Sequence, residues 1–374
     1  MKKVLMGATA LTMIGAASGA VAQEWSADVG GFFTAGVGYV DAEAQEAGGD
    51  IVANSEVTFN FRMTADNGLT FSAKAELENN SGGEDGANMD EYVARVGGAF
   101  GTIEIGAEDG AADRLHGGPA GGTAFTAIGD AAGLLGDYST NVSGYEIDTD
   151  GGESGDALKI TYFTPTFSGF SAGISYAPTG GDEGLTSTDG TTEDGEILEL
   201  GAGYSNTFSG VDVSAGFGYA FSFDDDADES LEEGIGGSLN VGFGGFTIGG
   251  SVGLTNERGE DTSTGYAIGA NYATGPWLFG LQFAQGVDGA QEDHMGVSAG
   301  VDYALAPGVT VGAIAEYYDA DDATFVTEAA TGGFSIDQDS GEIEQDEDAA
   351  GFQAATREEF DDSFAIGVFM NLDF

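Results

Sequence analysis

From residue 25 onward, apolar side chains recur on every second position. In the second such segment Ile51, Ala53, Val57, Phe59, Phe61, Met63 and Ala65 share one parity, while Asn54, Glu56, Thr58, Asn60, Arg62, Thr64 and Asp66 hold the other. A period of two belongs to a strand whose faces meet different surroundings. The split returns in Leu69, Phe71, Ala73, Ala75 and Leu77 against Thr70, Ser72, Lys74, Glu76 and Glu78, and again from Val211 to Phe221.

The pattern predicts sixteen strands, at 25–40, 51–66, 69–78, 90–98, 102–106, 157–164, 170–177, 196–205, 211–222, 233–243, 246–255, 264–273, 277–285, 294–305, 309–318 and 363–374. Tight links such as Asp66-Asn67-Gly68, Gly244-Gly245, Thr274-Gly275-Pro276 and Ala306-Pro307-Gly308 alternate with acidic loops at 41–50, 79–89, 107–156, 178–195, 223–232, 256–263, 286–293 and 319–362. Gly and Pro supply the backbone angles that hairpin turns need. An even strand count with short and long links in alternation predicts an all-β transmembrane antiparallel barrel, both termini on the periplasmic turn side.

Composition agrees with one domain. No Pro-rich linker divides the chain, mean hydropathy is near zero, and no apolar run reaches the roughly 18 residues of a spanning helix. Lys2 and Lys3, an apolar stretch from Val4 to Ala17, and Ala20-Val21-Ala22 form the pattern of a signal peptide over 1–22, leaving a barrel over 23–374. With no Cys, stability cannot rest on disulfides.

Removing the leader leaves seven bases against 64 acids, a net charge of −57. That balance excludes nucleic acid as a partner. It suits either an electrostatic filter for cations or a solvated acidic coat on the loops. The runs Asp224-Asp225-Asp226, 319–322 and 337–348 match no EF-hand spacing, so weak calcium or magnesium binding by acidic loops is the most they suggest. No resident cofactor is expected. Catalysis has little to work with: the histidines are His116 and His294, and no metal-ligand spacing with His occurs. Tandem Gly-Gly-x-Gly-x-Asp repeats of a calcium-binding β-roll are missing.

Aromatic residues decorate both strand ends on the apolar parity. Trp25, Phe170, Phe246, Tyr272, Trp277, Tyr303 and Phe374 fall on the turn side, and Tyr39, Tyr176, Tyr219, Phe283 and Tyr317 near the loop side, as two interfacial girdles require.

The leader, sixteen strands, an outsized loop after the fifth and a last strand from Phe364 ending in Phe374 together resemble a general diffusion porin of the alphaproteobacterial, Rhodobacter-like type. The resemblance implies that loop 107–156 bends into the barrel as a constriction, with loop acids facing wall bases. It implies a homotrimer in outer-membrane lipid and lipopolysaccharide, passing small hydrophilic solutes and ions. Phe374 would then be the signal to the outer-membrane assembly machinery. Small lipid-side residues Ala27, Ala35, Ala53, Ser55, Ala73, Ala75 and Ala94 leave a flat wall where barrels could meet.

Five of the seven mature bases are Arg62, Lys74, Arg95, Arg114 and Lys159. Arg62, Lys74, Arg95 and Lys159 fall on the water-facing parity. If the 66–68 turn pairs Asn60 with Lys74, then Lys74 is diagonal to Arg62. The loop offers Glu108, Asp109, Asp113, Asp130 and Asp137, with Arg114 and His116 among them, and an apolar middle, Phe125, Ile128, Leu134 and Leu135, fit to pack on a wall. Arg95 could instead form a local pair with Glu104 across strands four and five. The expected pore lining is therefore these bases with Glu104 and the loop acids, and the expected activity is passive diffusion with a preference for cations. A channel selective for one small solute differs only in its lining; stacked aromatic residues inside would favour sugars, and the inner parity holds mostly Ser, Thr, Gly and acids.

Overall fold

The computed structural model describes residues 24–42, 45–79, 88–125, 154–178, 196–223, 231–257, 262–287, 294–328, 334–336, 343–345 and 356–374. The strands are β1 (Ser26–Ala42), β2 (Gln45–Thr64), β3 (Thr70–Asn79), β4 (Asn88–Gly98), β5 (Gly101–Ala107), β6 (Leu158–Phe163), β7 (Phe170–Ala177) and β8 (Ile197–Phe208). They continue as β9 (Val211–Ser222), β10 (Leu231–Phe243), β11 (Phe246–Glu257), β12 (Ser263–Thr274), β13 (Trp277–Val287), β14 (His294–Ala306), β15 (Val309–Glu328), β16 (Phe334–Ile336), β17 (Ile343–Gln345) and β18 (Thr356–Asp373). A short helix, α1 (Ala111–His116), follows β5.

Sixteen of these strands close a barrel, each antiparallel to its sequence neighbour, with β18 between β15 and β1. The seam runs from Phe32 opposite Asp373 to Ala42 opposite Ser363. Beyond it Gly31 and Phe374 exchange two backbone hydrogen bonds of 3.1 Å. Closure leaves no strand edge bare, the condition for placing a sheet in hydrocarbon, where water cannot satisfy amides. The apolar parity points outward: Val37, Ile51, Ile105, Ile160, Leu281 and Val368 are all exposed. At the turn end aromatic side chains pair across strands on that outer face, Phe246 on Tyr272 at 4.3 Å and Trp277 on Tyr303 at 4.6 Å between ring centres.

Two predicted loops are instead largely strand. β1 and β2 pair up to Ala42 opposite Gln45, so 41–50 is a long hairpin arm. β15 and β18 pair beyond the wall, with Ala323 opposite Phe360 and Phe325 opposite Glu358, and β16 pairs β17 within 319–362. Acid content hid these arms; above the membrane a strand needs ladder partners but no apolar face. The signal peptide expected over 1–22 lies outside the described residues.

Candidate pore lining and the inner loop

On β3 the polar parity carries Ser72, Lys74, Glu76 and Glu78 inward. The 66–68 turn sets the register, pairing Asn60 with Lys74 and Arg62 with Ser72, so Lys74 is diagonal to Arg62 as expected. Between the pairs Ala75–Tyr92 and Leu77–Met89 the register of β4 slips, leaving Asp90 and Glu91 against Glu76 alone. Such a bulge re-aims side chains, and here it turns Glu91 onto the Lys74 ammonium.

Lys74 Nζ also lies 3.1 Å from Glu76 and 3.0 Å from Glu108. Arg95, paired in register with Glu104, meets that carboxylate at 3.2 Å and Glu108 on its other side. Arg114 on α1 reaches Glu104 at 2.7 Å and lies over the Phe163 ring at 4.4 Å. Lys159 donates to the Glu108 carbonyl at 2.6 Å and to the Gly155 carbonyl. Lys74, Arg95, Lys159, Glu104, Glu108 and Arg114 thus converge, with loop acid and wall base in direct contact. Among the described residues Arg62 makes no ion pair with this group and stands exposed toward the turn side. Asp130 and Asp137, with Ile128, Leu134 and Leu135, lie outside the described residues.

The loop then runs along the inner wall. Gly110 gives α1 no side-chain cap, so the wall supplies acceptors for its free amides. Ala111 N donates to Ser175 Oγ at 2.7 Å and Ala112 N to Glu199 Oε2 at 3.2 Å. Further on, Ser238 holds the His116 carbonyl, Asn240 the Gly118 carbonyl and Gln282 the Ala120 carbonyl. Asn271 accepts from Gly121 N at 2.6 Å and donates to the Gly122 carbonyl at 2.7 Å, and Asp302 accepts from Ala124 N at 2.7 Å. Phe125 ends the described stretch stacked on Phe369, ring centres 5.4 Å apart, in a buried cluster with Val40, Val52, Ile314 and Ala365. Residues 108–125 therefore pass inside the barrel from β5 around to β18. Glycines let them lie flush: a Cβ at Gly201, Gly216 or Gly269 would run into the carbonyl of Ala111, His116 or Ala120.

At the loop's neck the carboxylates of Glu91, Asp109 and Asp156 bring ligand atoms within 4.8 Å of one another. Oxygens in such number suit a hard divalent cation. Asp109, hydrogen-bonded to Asp113, is raised above the usual carboxylate range by burial and by the charge of Glu91. Burial, then the charges of Asp109, Glu91 and Asp90, push Asp156 up to about 7 against the pull of Lys159. Burial disfavours the Arg114 charge, but its bond to Glu104 and the nearby acids outweigh that and hold it above its ordinary value.

The sequence reading did not single out Glu76, Glu91, Glu199, Asn271, Gln282 or Asp302. Their signal was a polar residue between outward apolar neighbours, as with Glu199 between Leu198 and Leu200, which marks an inner position without saying what it holds.

A closed barrel, oily outside and polar within, carrying a loop along its bore, defines an outer-membrane channel for passive diffusion rather than an enzyme. The Gram-negative porin family model matches residues 7–323, and the chain belongs to that family. No curated protein sequence matches it. Among solved structures it is similar to the anion-selective porin from Comamonas acidovorans, with 18% identity over 94% of this chain and 100% of that one and a TM-score of 0.60. It is similar also to a triple variant of the Rhodopseudomonas blastica porin, with 17% identity over 93% of this chain and 100% of that one and a TM-score of 0.59. At such identity the likeness shows the fold.

Proposed function

We propose that the channel passes small hydrophilic solutes and ions with a preference for cations, and that the bore is narrowest where Lys74, Arg95, Glu104, Glu108, Asp109, Asp113, Arg114 and Lys159 gather. The observation that carries the preference is the pairing of the bases. Lys74, Arg95 and Arg114 each sit against carboxylates, so little positive charge is left to attract anions, while Glu56, Glu78 and Asp90 add negative charge on the same inner wall. Rings of charge set ion preference in aqueous pores. Selectivity lies in such side chains rather than in the shared barrel, so an anion-selective relative of the same fold is compatible with the opposite sign here.

Reversal potentials across a planar bilayer in a salt gradient test this. A potential of the sign set by the more mobile cation is expected, and anion selectivity would overturn the preference while leaving the channel standing. Threefold closures in the same records would support assembly as a homotrimer, for which the small outer residues Ala35, Ala53, Ala73 and Ala75 offer a flat contact. In this reading the leader is removed after Ala22, acidic loops face lipopolysaccharide, and Phe374, fixed at the seam by Gly31, is offered to the assembly machinery. A channel selective for one solute would show its conductance blocked by that solute.

A further inference from the structure

Inner charges on β2, β3 and β4 are sorted by sign along the barrel axis. β2 and β4 run from the loop side to the turn side and β3 runs back, so the register ranks their side chains by depth. Glu56 pairs with Glu78 nearest the loops, then Thr58 with Glu76, Asn60 with Lys74 and Arg62 with Ser72; Ser72 in turn pairs with Arg95. Asp90 and Glu91 precede Arg95 on the descending β4. On all three strands the acids stand on the loop side of the bases. Glu56 and Arg62 are separated by about 20 Å of strand at roughly 3.3 Å per residue.

Folding alone gives no reason for this order. Like charges directly opposite one another, as at Glu56 and Glu78, destabilise a sheet. Both carboxylates are nevertheless held, Glu56 by Thr58 Oγ1 at 2.7 Å and Glu78 by Asn54 Nδ2 at 3.3 Å. Asp28, opposite Asn60 and so at the depth of Lys74, and Asp373 at the turn-side end of β18 lower the contrast.

We propose that this sorting makes the open channel rectify, passing more current when the loop side is positive than at the opposite voltage. With that polarity cations enter through the acidic zone, and anions arriving from the turn side pass the exposed Arg62 but are held back by the acids beyond it, so both ions accumulate and conductance rises. Reversing the field drains both from the bore. The inference rests on the channel reading but not on the net ion preference, since a cation-preferring pore with evenly spread charge would be symmetric.

The test is single-channel current at matched positive and negative voltages in symmetric salt. Orientation is read from Ala306→Cys, a unique cysteine at the turn-side end of β14, biotinylated so that streptavidin perturbs the current only from the turn-side chamber. The expected ratio is about twofold at 0.1 M salt, where charges act over ~10 Å, falling toward one at 1 M, where they act over ~3 Å. Glu56→Gln combined with Glu78→Gln, which relieves repulsion and so does not endanger folding, is expected to bring the 0.1 M ratio toward one. A symmetric current at 0.1 M, a larger current with the turn side positive, or a ratio unmoved in the double variant would overturn the proposal. Loss of all conductance would instead strike the channel reading beneath it.

Discussion

The fully buried carboxylate of Glu199 accepts from Ser154 N at 2.8 Å and from the Ser154 hydroxyl. Its other oxygen takes Ala112 N, so a single wall residue ties the beginning of the long loop to its end. Lys159 does the same from β6, through the carbonyls of Glu108 and Gly155. The neck of the loop is sewn shut from the barrel wall at two points.

Glu199→Ala leaves the amides of Ala112 and Ser154 buried without that acceptor, at about 1–3 kcal/mol for each group so stranded. The barrel ladder is untouched. The expected outcome is a channel that still resists heat in detergent as the parent does, but whose loop is cut faster by protease and whose current is noisier. Glu199→Gln, which keeps an acceptor oxygen, should fall between the two. Equal proteolysis of parent and Ala variant would show that the clamp does not hold the loop.

Close approach of backbone to backbone gives a second expectation. A methyl group at Gly216 meets the His116 carbonyl and one at Gly269 meets the Ala120 carbonyl, whereas a Cβ at Gly118 has nothing within 4 Å. Gly216→Ala and Gly269→Ala should each displace the loop at an overpacking cost of about 1–3 kcal/mol and change single-channel conductance. Gly118→Ala should leave it as it was. Identical conductance in all three would mean the loop yields freely.

Replacing Lys74 separates the roles of the bases. Lys74→Gln takes one positive charge from between Glu76, Glu91 and Glu108, and the unpaired acids should strengthen cation preference, seen as a larger reversal potential in a salt gradient. Arg62→Gln, outside that cluster, should move it less. An Arg62 effect as large as that of Lys74 would place the selective step nearer the turns.

How much of this could be read from the chain follows from what each residue answers to. The wall residues answer to lipid on one side and water on the other, so alternation exposed the strands, the Asn60–Lys74 register and the Arg95–Glu104 pair. Phe125 was legible as an apolar residue in a polar loop that had to pack on something. Glu199 and Gln282 answer instead to backbone amides and carbonyls distant in sequence, and a hydrogen bond to backbone leaves no trace in the partner's side chain. The bulge that turns Glu91 onto Lys74 was hidden too, because inserting one residue shifts the parity by one and looks like a lapse in the pattern. The long arms of β15 and β18 escaped because strand outside the membrane lacks the greasy face by which strands were recognised.

Acid should tighten the neck of the loop. Asp156 carries its proton up to about pH 7 in the folded channel, well above the ~3.9 of an unfolded aspartate. Between these two values the folded state binds the extra proton, so stability at this position is greatest below the unfolded value and declines as pH rises toward 7. Above that the cost of the ionised group beside Asp109 and Glu91 is fully present and no longer changes. Protease sensitivity of the loop should therefore be lower at pH 5 than at pH 8, measured with an enzyme active at both. Asp156→Asn, which cannot ionise, should remove most of the difference and protect the loop at pH 8. A pH dependence unchanged in that variant would assign it to another group, with Asp109 the next to replace.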